Sequence, residues 1–453
     1  MKRASPVFPD TAAVSAAAIP LVAPAAGSGR YSRVRGFFVA CWMVLSTGAL
    51  AGELGDLLQD VLQHPQMRAA SKQTEAAQMQ QEAAAGRYLG SAALSTGWHR
   101  YEHPRIVGAF TPTTTDVALV SERISQTGVS YNLPVDIFGV IAANKERAGH
   151  DLRATELLAR QQTLAKLHQA ASAYVAMQGL LQQRQALQAA KQRVDATARR
   201  VRKEFELGKK AGVDARYAES ELARLTADEA ALAAGVAQAQ ADFAEATGHA
   251  GFLPASAEVR VPAWDAPAED ALPVRIAQAR LESAQAQAEE SRRALLPSLS
   301  LDANYFRNGA QGGDHRNTWA IGGVLSLPLG VSQYRQAGAQ RLAAAAAAEQ
   351  GEAARRDAER QMANLRAAYD AALADAAAMA TEVSYRAEVV HVEENMQRLG
   401  NQTLENLFRH ERDLLDARYR LAHAKGRAAA AWSAAQVVIG APVETYIARM
   451  DSK

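Results

Sequence analysis

The longest regularity in the chain is a proline-free run from Val140 to Leu207, in which Leu164, Leu167, Ala171, Tyr174 and Leu181 keep three- and four-residue helical spacing. That period predicts one continuous helix of roughly 100 Å at 1.5 Å per residue, far longer than a globular helix. The run ends at Leu207-Gly208, and a second run begins after Gly212 at Val213. Glycine reaches positive φ without steric cost, which suits a helix C-cap and a tight reversal. Asp214 then falls in the first turn of the returning helix, where a carboxylate favours the N-terminus. The returning helix carries Leu222, Leu225, Leu232, Val236, Ala239 and Phe243 on the same spacing, with Glu229 interrupting the seam, and stops at Thr247-Gly248.

The device recurs. A second long helix is predicted from Gly330 to Leu399, a tip at Gly400, and a returning helix over 404–439 that stops at Gly440. Gly208 to Gly248 and Gly400 to Gly440 are both separations of 40 residues. Ahead of each long helix the period shortens to two. Leu94, Thr96 and Trp98 alternate with Ser95, Gly97 and His99, and Val129, Tyr131 and Leu133 alternate with Ser130 and Asn132. In the second half Leu299, Leu301, Ala303 and Tyr305 oppose Ser300, Asp302 and Asn304, and Trp319, Ile321, Leu325 and Leu327 oppose Ala320, Gly322, Val324 and Ser326. Two strands per copy follow, with strand two closed by Pro134 and loops expected over 103–115 and 308–317. Leu133-Pro134 and Leu327-Pro328 share an offset of 194 with Gly128 and Gly322.

Single helices over about 53–87 and 272–296 precede the strand pairs. Each, stacked on a half-length returning helix, matches one long helix in height. Internal duplication therefore divides the chain into an N-terminal extension with a leader (1–51), a first repeat (52–248), a proline-containing linker (249–271), a second repeat (272–440) and a tail (441–453).

Composition narrows this. The chain is 48% hydrophobic but only 6% aromatic, which favours long helices packed through small residues over several compact cores. Net charge is +2, yet residues 1–51 hold Lys2, Arg3, Arg30, Arg33 and Arg35 against Asp10, so the remainder is slightly acidic and no nucleic-acid surface is expected. Arg30, Arg33 and Arg35 precede the apolar run Phe37–Leu45, and Ala49-Leu50-Ala51 supplies a small-x-small cleavage site, as in a secretory signal peptide. The single cysteine, Cys41, lies within that leader. No later apolar stretch reaches the length of a spanning helix, which leaves a β-barrel as the route into a membrane. His99 and His103 sit beside Pro104 in a predicted loop and share no helix face, and Glu289-Glu290 reads as a solvated helix face. No catalytic residue, cofactor or metal site is expected, and the chain is not expected to be an enzyme.

The order helix, two strands, long helix, glycine tip and half-helix, present twice, resembles the TolC-like outer-membrane efflux proteins (outer membrane factors). The resemblance rests on Leu133-Pro134, Leu327-Pro328, Leu296-Pro297-Ser298, the tips Phe205-Glu206-Leu207-Gly208 and Arg398-Leu399-Gly400, and the closing Gly248 and Gly440. It implies a mainly α subunit of a homotrimer. Four strands per subunit would build a twelve-stranded outer-membrane β-barrel over a long periplasmic helical tunnel, acting as the channel of a tripartite efflux or type I secretion system. The implied partners are a periplasmic adaptor (membrane fusion) protein, an inner-membrane transporter of the RND or ABC type, and outer-membrane lipid.

Carried over, adaptor contact falls at the tips, on Leu207, Gly208, Gly212, Val213, Asp214, Leu399, Gly400, Thr403 and Leu404. A gate falls on Asp214, Gln402, Glu405, Asn406 and Arg409. The lipid-facing positions are Val129, Tyr131, Leu133, Trp319, Ile321 and Leu325, with Ser130, Asn132 and Ser326 toward the lumen. The family's aspartates six and nine residues after the second tip glycine are here Asn406 and Arg409, and Arg409 is spaced to pair with Glu405. A periplasmic adaptor or coiled-coil tether is the competing class. It would carry one hairpin and has no use for the apolar alternation from Trp319 to Leu327.

Overall fold

The computed structural model describes residues 53–108, 119–266 and 271–451. The predicted leader, with Cys41 and the expected cleavage site after Ala51, lies outside the described residues, as do 109–118 and 267–270. In chain order the main elements are α1 (Glu53–Val61), α2 (Pro65–Gly86), β1 (Ser91–Val107), β2 (Leu119–Val135), α3 (Val140–Glu206), α4 (Gly212–Thr247), α5 (Leu272–Arg293), β3 (Ser298–Ala310), β4 (His315–Ser326), α6 (Val331–Arg398), α7 (Leu404–Ile439) and α8 (Val443–Asp451).

The long helices α3 and α6 span 67 and 68 residues, and α4 and α7 span 36 each. α3 packs along α2 and α4, and α6 along α5 and α7, so each long helix is flanked by two shorter ones. α3 also packs on α5 and α7, which joins the two repeats. Both returning helices stop on a left-handed glycine. Gly248 (φ 83°) donates to the Ala244 carbonyl, and Gly440 (φ 66°) donates to that of Val437. A Cβ at Gly440 would also lie 3.0 Å from Cβ of Leu272, so this position is closed to other residues twice over.

The first predicted helix is in fact two. His64 takes an extended ψ of 145° before Pro65, as residues preceding proline do, and its Nδ1 accepts from the Gln66 N–H at the start of α2. The strands also outrun their predicted ends. β1 continues through His103 and Pro104 to Val107 by a bulge, the register passing from Arg100↔Arg123 to Arg105↔Ser121. β2 runs through Pro134 to Val135. Pro134 lies beyond Asn132↔Ser91, the last pair with β1, where a missing N–H breaks no bond on that side. β3 and β4 extend into the expected loop, leaving only residues 311–314 as the turn. The four strands form one antiparallel sheet in the order β1-β2-β3-β4.

The main core lies partway along the long helices rather than under the sheet. Tyr174, Phe243, Tyr369, Trp432 and Tyr446 are buried there with Leu164, Leu167 and Met177. The linker is part of this core: Phe252 stacks on Phe243 at 4.9 Å, and Trp264 lies 5.2 Å from the Tyr369 ring. Asp265 accepts hydrogen bonds from the Trp432 indole (3.1 Å) and the Gln436 amide (3.0 Å) and pairs with Arg449. The C-terminal tail likewise forms a helix, α8, which packs on α1 and buries Tyr446 completely. Neither segment has a long hydrophobic period, because each contributes isolated anchors to a core built by other elements.

A hydrogen-bonded chain ties α3, α7 and α8 together: His168 Nδ1 to Ser433 Oγ (2.8 Å), then Ser433 Oγ to the Tyr446 hydroxyl (2.5 Å). Burial holds the His168 imidazole below its ordinary value of 6.5. The folded protein therefore keeps His168 neutral where the unfolded chain takes up a proton. The contribution to stability is complete above pH 6.5 and is lost as pH falls below it. The thermal midpoint of the helical circular dichroism signal is expected to fall between pH 6.5 and about 5 more steeply in the wild type than in His168→Asn. Equal slopes would refute this.

Candidate functional site at the hairpin tips

The α3–α4 and α6–α7 reversals are built alike at their entry. Gly208 (φ 69°) donates to the Phe205 carbonyl and Lys209 to that of Glu204, both at 2.8 Å. Gly400 (φ 79°) donates to Gln397 at 3.1 Å and Asn401 to Met396 at 3.0 Å. This paired pattern satisfies the last carbonyls of each long helix and needs a left-handed residue at one position, which is why glycine stands at both. The exits differ. α7 starts on Thr403, whose hydroxyl accepts from the Asn406 N–H at 3.2 Å. α4 starts on Ala211 with no side-chain cap, and Asp214 supplies the first-turn charge instead. Lys209 and Lys210 in the first tip correspond to Asn401 and Gln402 in the second.

The predicted contact residues separate into three groups. Leu207, Gly208, Val213, Leu399, Gly400 and Thr403 are exposed, Val213 and Leu399 each at 73%, while Gly212 and Asp214 are half-buried. Leu404 is 6% exposed and packs between the hairpins with Leu407, Phe408, Val201 and Ala215, so it cannot serve as a surface contact. It is the first core position of α7, and the 3/4 spacing that continues to Leu407, Phe408 and Leu415 requires it inside. Among the gate candidates, Glu405 and Arg409 are exposed and make no ion pair with each other among the described residues, contrary to the expected i, i+4 pairing. Asn406 is half-buried, and its amide donates to Gln402 Oε1 at 2.9 Å.

The polar connections between the helices lie further up, mostly on charged residues that the sequence pattern did not single out. Arg193 of α3 donates both Nε and Nη2 to Glu411 of α7 at 2.6 Å, and Glu411 is buried. Glu221 of α4, also buried, accepts from Arg224 at 2.6 Å and faces Arg412 of α7 at 3.6 Å. Arg412 also donates to the Tyr217 hydroxyl at 3.4 Å, beside the Tyr217–Phe408 ring contact of 5.8 Å. Arg386 of α6 bridges Glu382 and Asp413, and Lys191 meets Glu229, the residue that interrupts the α4 seam. The hydrogen bonds from Arg193 to Glu411 raise the guanidinium pKa, whereas burial, with Arg193 nearby, depresses that of Arg418. Within one helix, charge at these positions is indistinguishable from a solvated face. Only the opposing helix identifies the buried ones.

At the other end, strand register places Val129, Tyr131, Leu133, Trp319, Ile321 and Leu325 on a single face. The same face holds Leu94, Trp98, Leu301 and Tyr305, all exposed. The opposite face carries Ser130, Asn132 and Ser326 with Asp302, Asn304 and Thr318, and the Asn132 amide donates to Asp302 at 2.6 Å. A sheet with one apolar and one polar face, carried at the end of paired long helices, is the subunit architecture of outer-membrane channels.

Residues 57–249 match the profile of the family described as outer membrane efflux protein. The chain also superposes on solved channels. It matches VceC of Vibrio cholerae with TM-score 0.72 at 17% identity, covering 85% of this chain and 96% of that one. It matches MtrE of Neisseria gonorrhoeae with 0.71 at 19% (85% and 88%), and CmeC of Campylobacter jejuni with 0.70 at 15% (88% and 89%). No curated protein matches by sequence. The resemblance to TolC-like outer-membrane efflux proteins thus holds in sequence over the first repeat and in fold across both, and the family is one of channels rather than enzymes.

Replacing Arg193 by alanine strands the buried Glu411 carboxylate. It is expected to cost about 2 kcal/mol, less than for a dry pair because a third of the Arg193 side chain remains in water. Arg427→Ala, which removes a half-exposed pair with Asp375, is expected to cost no more than about 0.5 kcal/mol. Urea unfolding of the helical signal measures both.

Proposed function

We propose that the chain is the outer-membrane channel subunit of a tripartite efflux system, assembled as a homotrimer and conducting solutes passively from the periplasm to the exterior. The observation that carries this is the sheet. Its apolar face is exposed across all four strands, and β1 and β4 are open edges. Backbone groups at an open edge are not tolerated in hydrocarbon, and four strands are too few to close, whereas three copies would supply twelve. α6 supports the same assembly: Val331, Tyr334, Leu342, Tyr385 and Val392 are exposed along it, and it buries far fewer of its residues than α3. These are the side chains a neighbouring subunit would cover.

In this arrangement the hairpin turns of the sheet point outward and the glycine tips point into the periplasm. The exposed Leu207, Val213 and Leu399 there offer apolar contacts to an adaptor, and an inner-membrane transporter of the RND or ABC type supplies the energy. The ion pairs of Arg412 with Glu221 and of Arg193 with Glu411 hold the second hairpin against the first, so opening requires these bonds to exchange. A soluble tether would not need an apolar-faced sheet, and nothing in the fold favours it.

Purified full-length protein is expected to require detergent and to run as a trimer; a monomer soluble without detergent would sink the channel reading. In planar bilayers, Arg412→Ala and the Gln402→Ala/Arg409→Ala pair test the gate at its two levels. Increased conductance in the first alone locates the constraint at the inter-hairpin pairs, and in the second alone at the tip. No change in either removes the gate from this end of the molecule.

A further inference from the structure

The apolar face of the sheet changes character toward the hairpin ends. Rows of register partners run from Val135, Leu299 and Leu325 up to Leu94, Val129, Tyr305 and Trp319 without a charge. The next row is Thr96, Thr127, Arg307 and Asn317; the next, Trp98, Ser125, Gly309 and His315; and the next sets Arg100 directly opposite Arg123. All three arginines are exposed and lie on the same face as Trp98 and Trp319. Their guanidinium groups have no ion-pair or hydrogen-bond partner among the described residues.

Like charges directly opposite on neighbouring strands are unfavourable. An anion held between Arg100 and Arg123 converts that repulsion into two charge-assisted contacts, and the guanidinium fork matches phosphate oxygens. The surface is shaped for one. A recess of 390 Å³ is lined by Trp98, Arg100, Arg123, Ser125 and Gly309. A Cβ at Gly309 would sit 2.7 Å from Ser125 Oγ and 3.0 Å from His315 Nδ1, so glycine keeps its floor open. Arg307 lies on the same face four residues along the ladder from Arg123, about 13 Å in the strand direction. Two cationic points at that separation, above an apolar band with tryptophan at its rim, fit an amphiphile with two phosphates at opposite ends of a disaccharide and acyl chains below. This is basic headgroup recognition beside an aromatic belt.

We propose that Arg100, Arg123 and Arg307 form a headgroup site for a bisphosphorylated glycolipid of the outer leaflet. This rests on the outer-membrane orientation argued above. The test is native mass spectrometry of the detergent-solubilised full-length protein, titrated with diphosphoryl lipid A, with the same lipid freed of both phosphates, and with inorganic phosphate. Wild type is expected to carry diphosphoryl lipid A at concentrations at least about tenfold lower than Arg100→Gln/Arg123→Gln/Arg307→Gln. The dephosphorylated lipid should bind both proteins alike, and inorganic phosphate should not displace the lipid.

The trimer mass in the same spectra reports assembly. Should the triple variant fail to assemble, Arg123→Gln alone, which leaves no like-charge pair, is expected to show a smaller loss in the same direction. Equal binding of diphosphoryl lipid A to wild type and an assembled variant, or wild-type binding of the dephosphorylated lipid as tight as that of diphosphoryl lipid A, overturns the site while trimer and conductance leave the channel reading intact. Displacement by inorganic phosphate makes the ligand a soluble anion and also overturns it. Absence of both trimer and bilayer conductance overturns the channel reading and the site together.

Discussion

Among the described residues no strand pairs with the outer edges of β1 and β4, so the backbone N–H and C=O groups there have no ladder partner. In hydrocarbon each such group costs several kcal/mol, and the apolar face of the same sheet makes water an equally poor solvent for it. On the proposed reading, a subunit with this sheet is incomplete as a monomer. In the proposed assembly that single constraint accounts for the sparse burial of α6 and the exposed aromatic residues of the strands, which further copies would cover. It also explains why the hydrophobic core of the chain lies elsewhere, among the helices.

The helical part solves a different problem. A helix the length of α3 offers more surface than one partner can cover, so α2, α4, α5 and α7 share it. Small residues dominate these contacts, since alanines let long helices approach closely over many turns. Where larger groups are needed they are concentrated in one layer, around Trp432, Tyr446, Phe243 and Tyr174. The linker and α8 close that layer and, through Asp265, connect the linker to α7 and α8.

Near the tips the two hairpins are held by apolar contacts around Phe408 and by the ion pairs Arg193–Glu411 and Arg412–Glu221, with one buried partner each. Such pairs add little net stability because desolvation consumes most of the Coulombic gain. Their value is specificity: they permit one register between hairpins and lose strongly if a partner is removed. A contact of this kind, satisfied in one arrangement and exchangeable for another, is what the proposed opening of the tunnel would use.

The one-dimensional pattern was enough to determine the elements whose cause is local. Helical spacing without proline defined α3 and α6, the two left-handed glycines defined the tips, and two-residue alternation assigned the strand faces, since a side chain's face follows from its parity alone. What the tertiary structure decided was everything set by a partner distant in sequence. β1 continues through Pro104 because β2 is there to pair with it across a bulge. Leu404 is core, not contact, because α3 and α4 cover it. Glu411 and Glu221 are buried ion-pair members, while Glu405 and Arg409 remain in water, although all four read alike as charges on an amphipathic helix. Period and parity are properties of one segment, whereas burial of a charge and the end of a strand are properties of two.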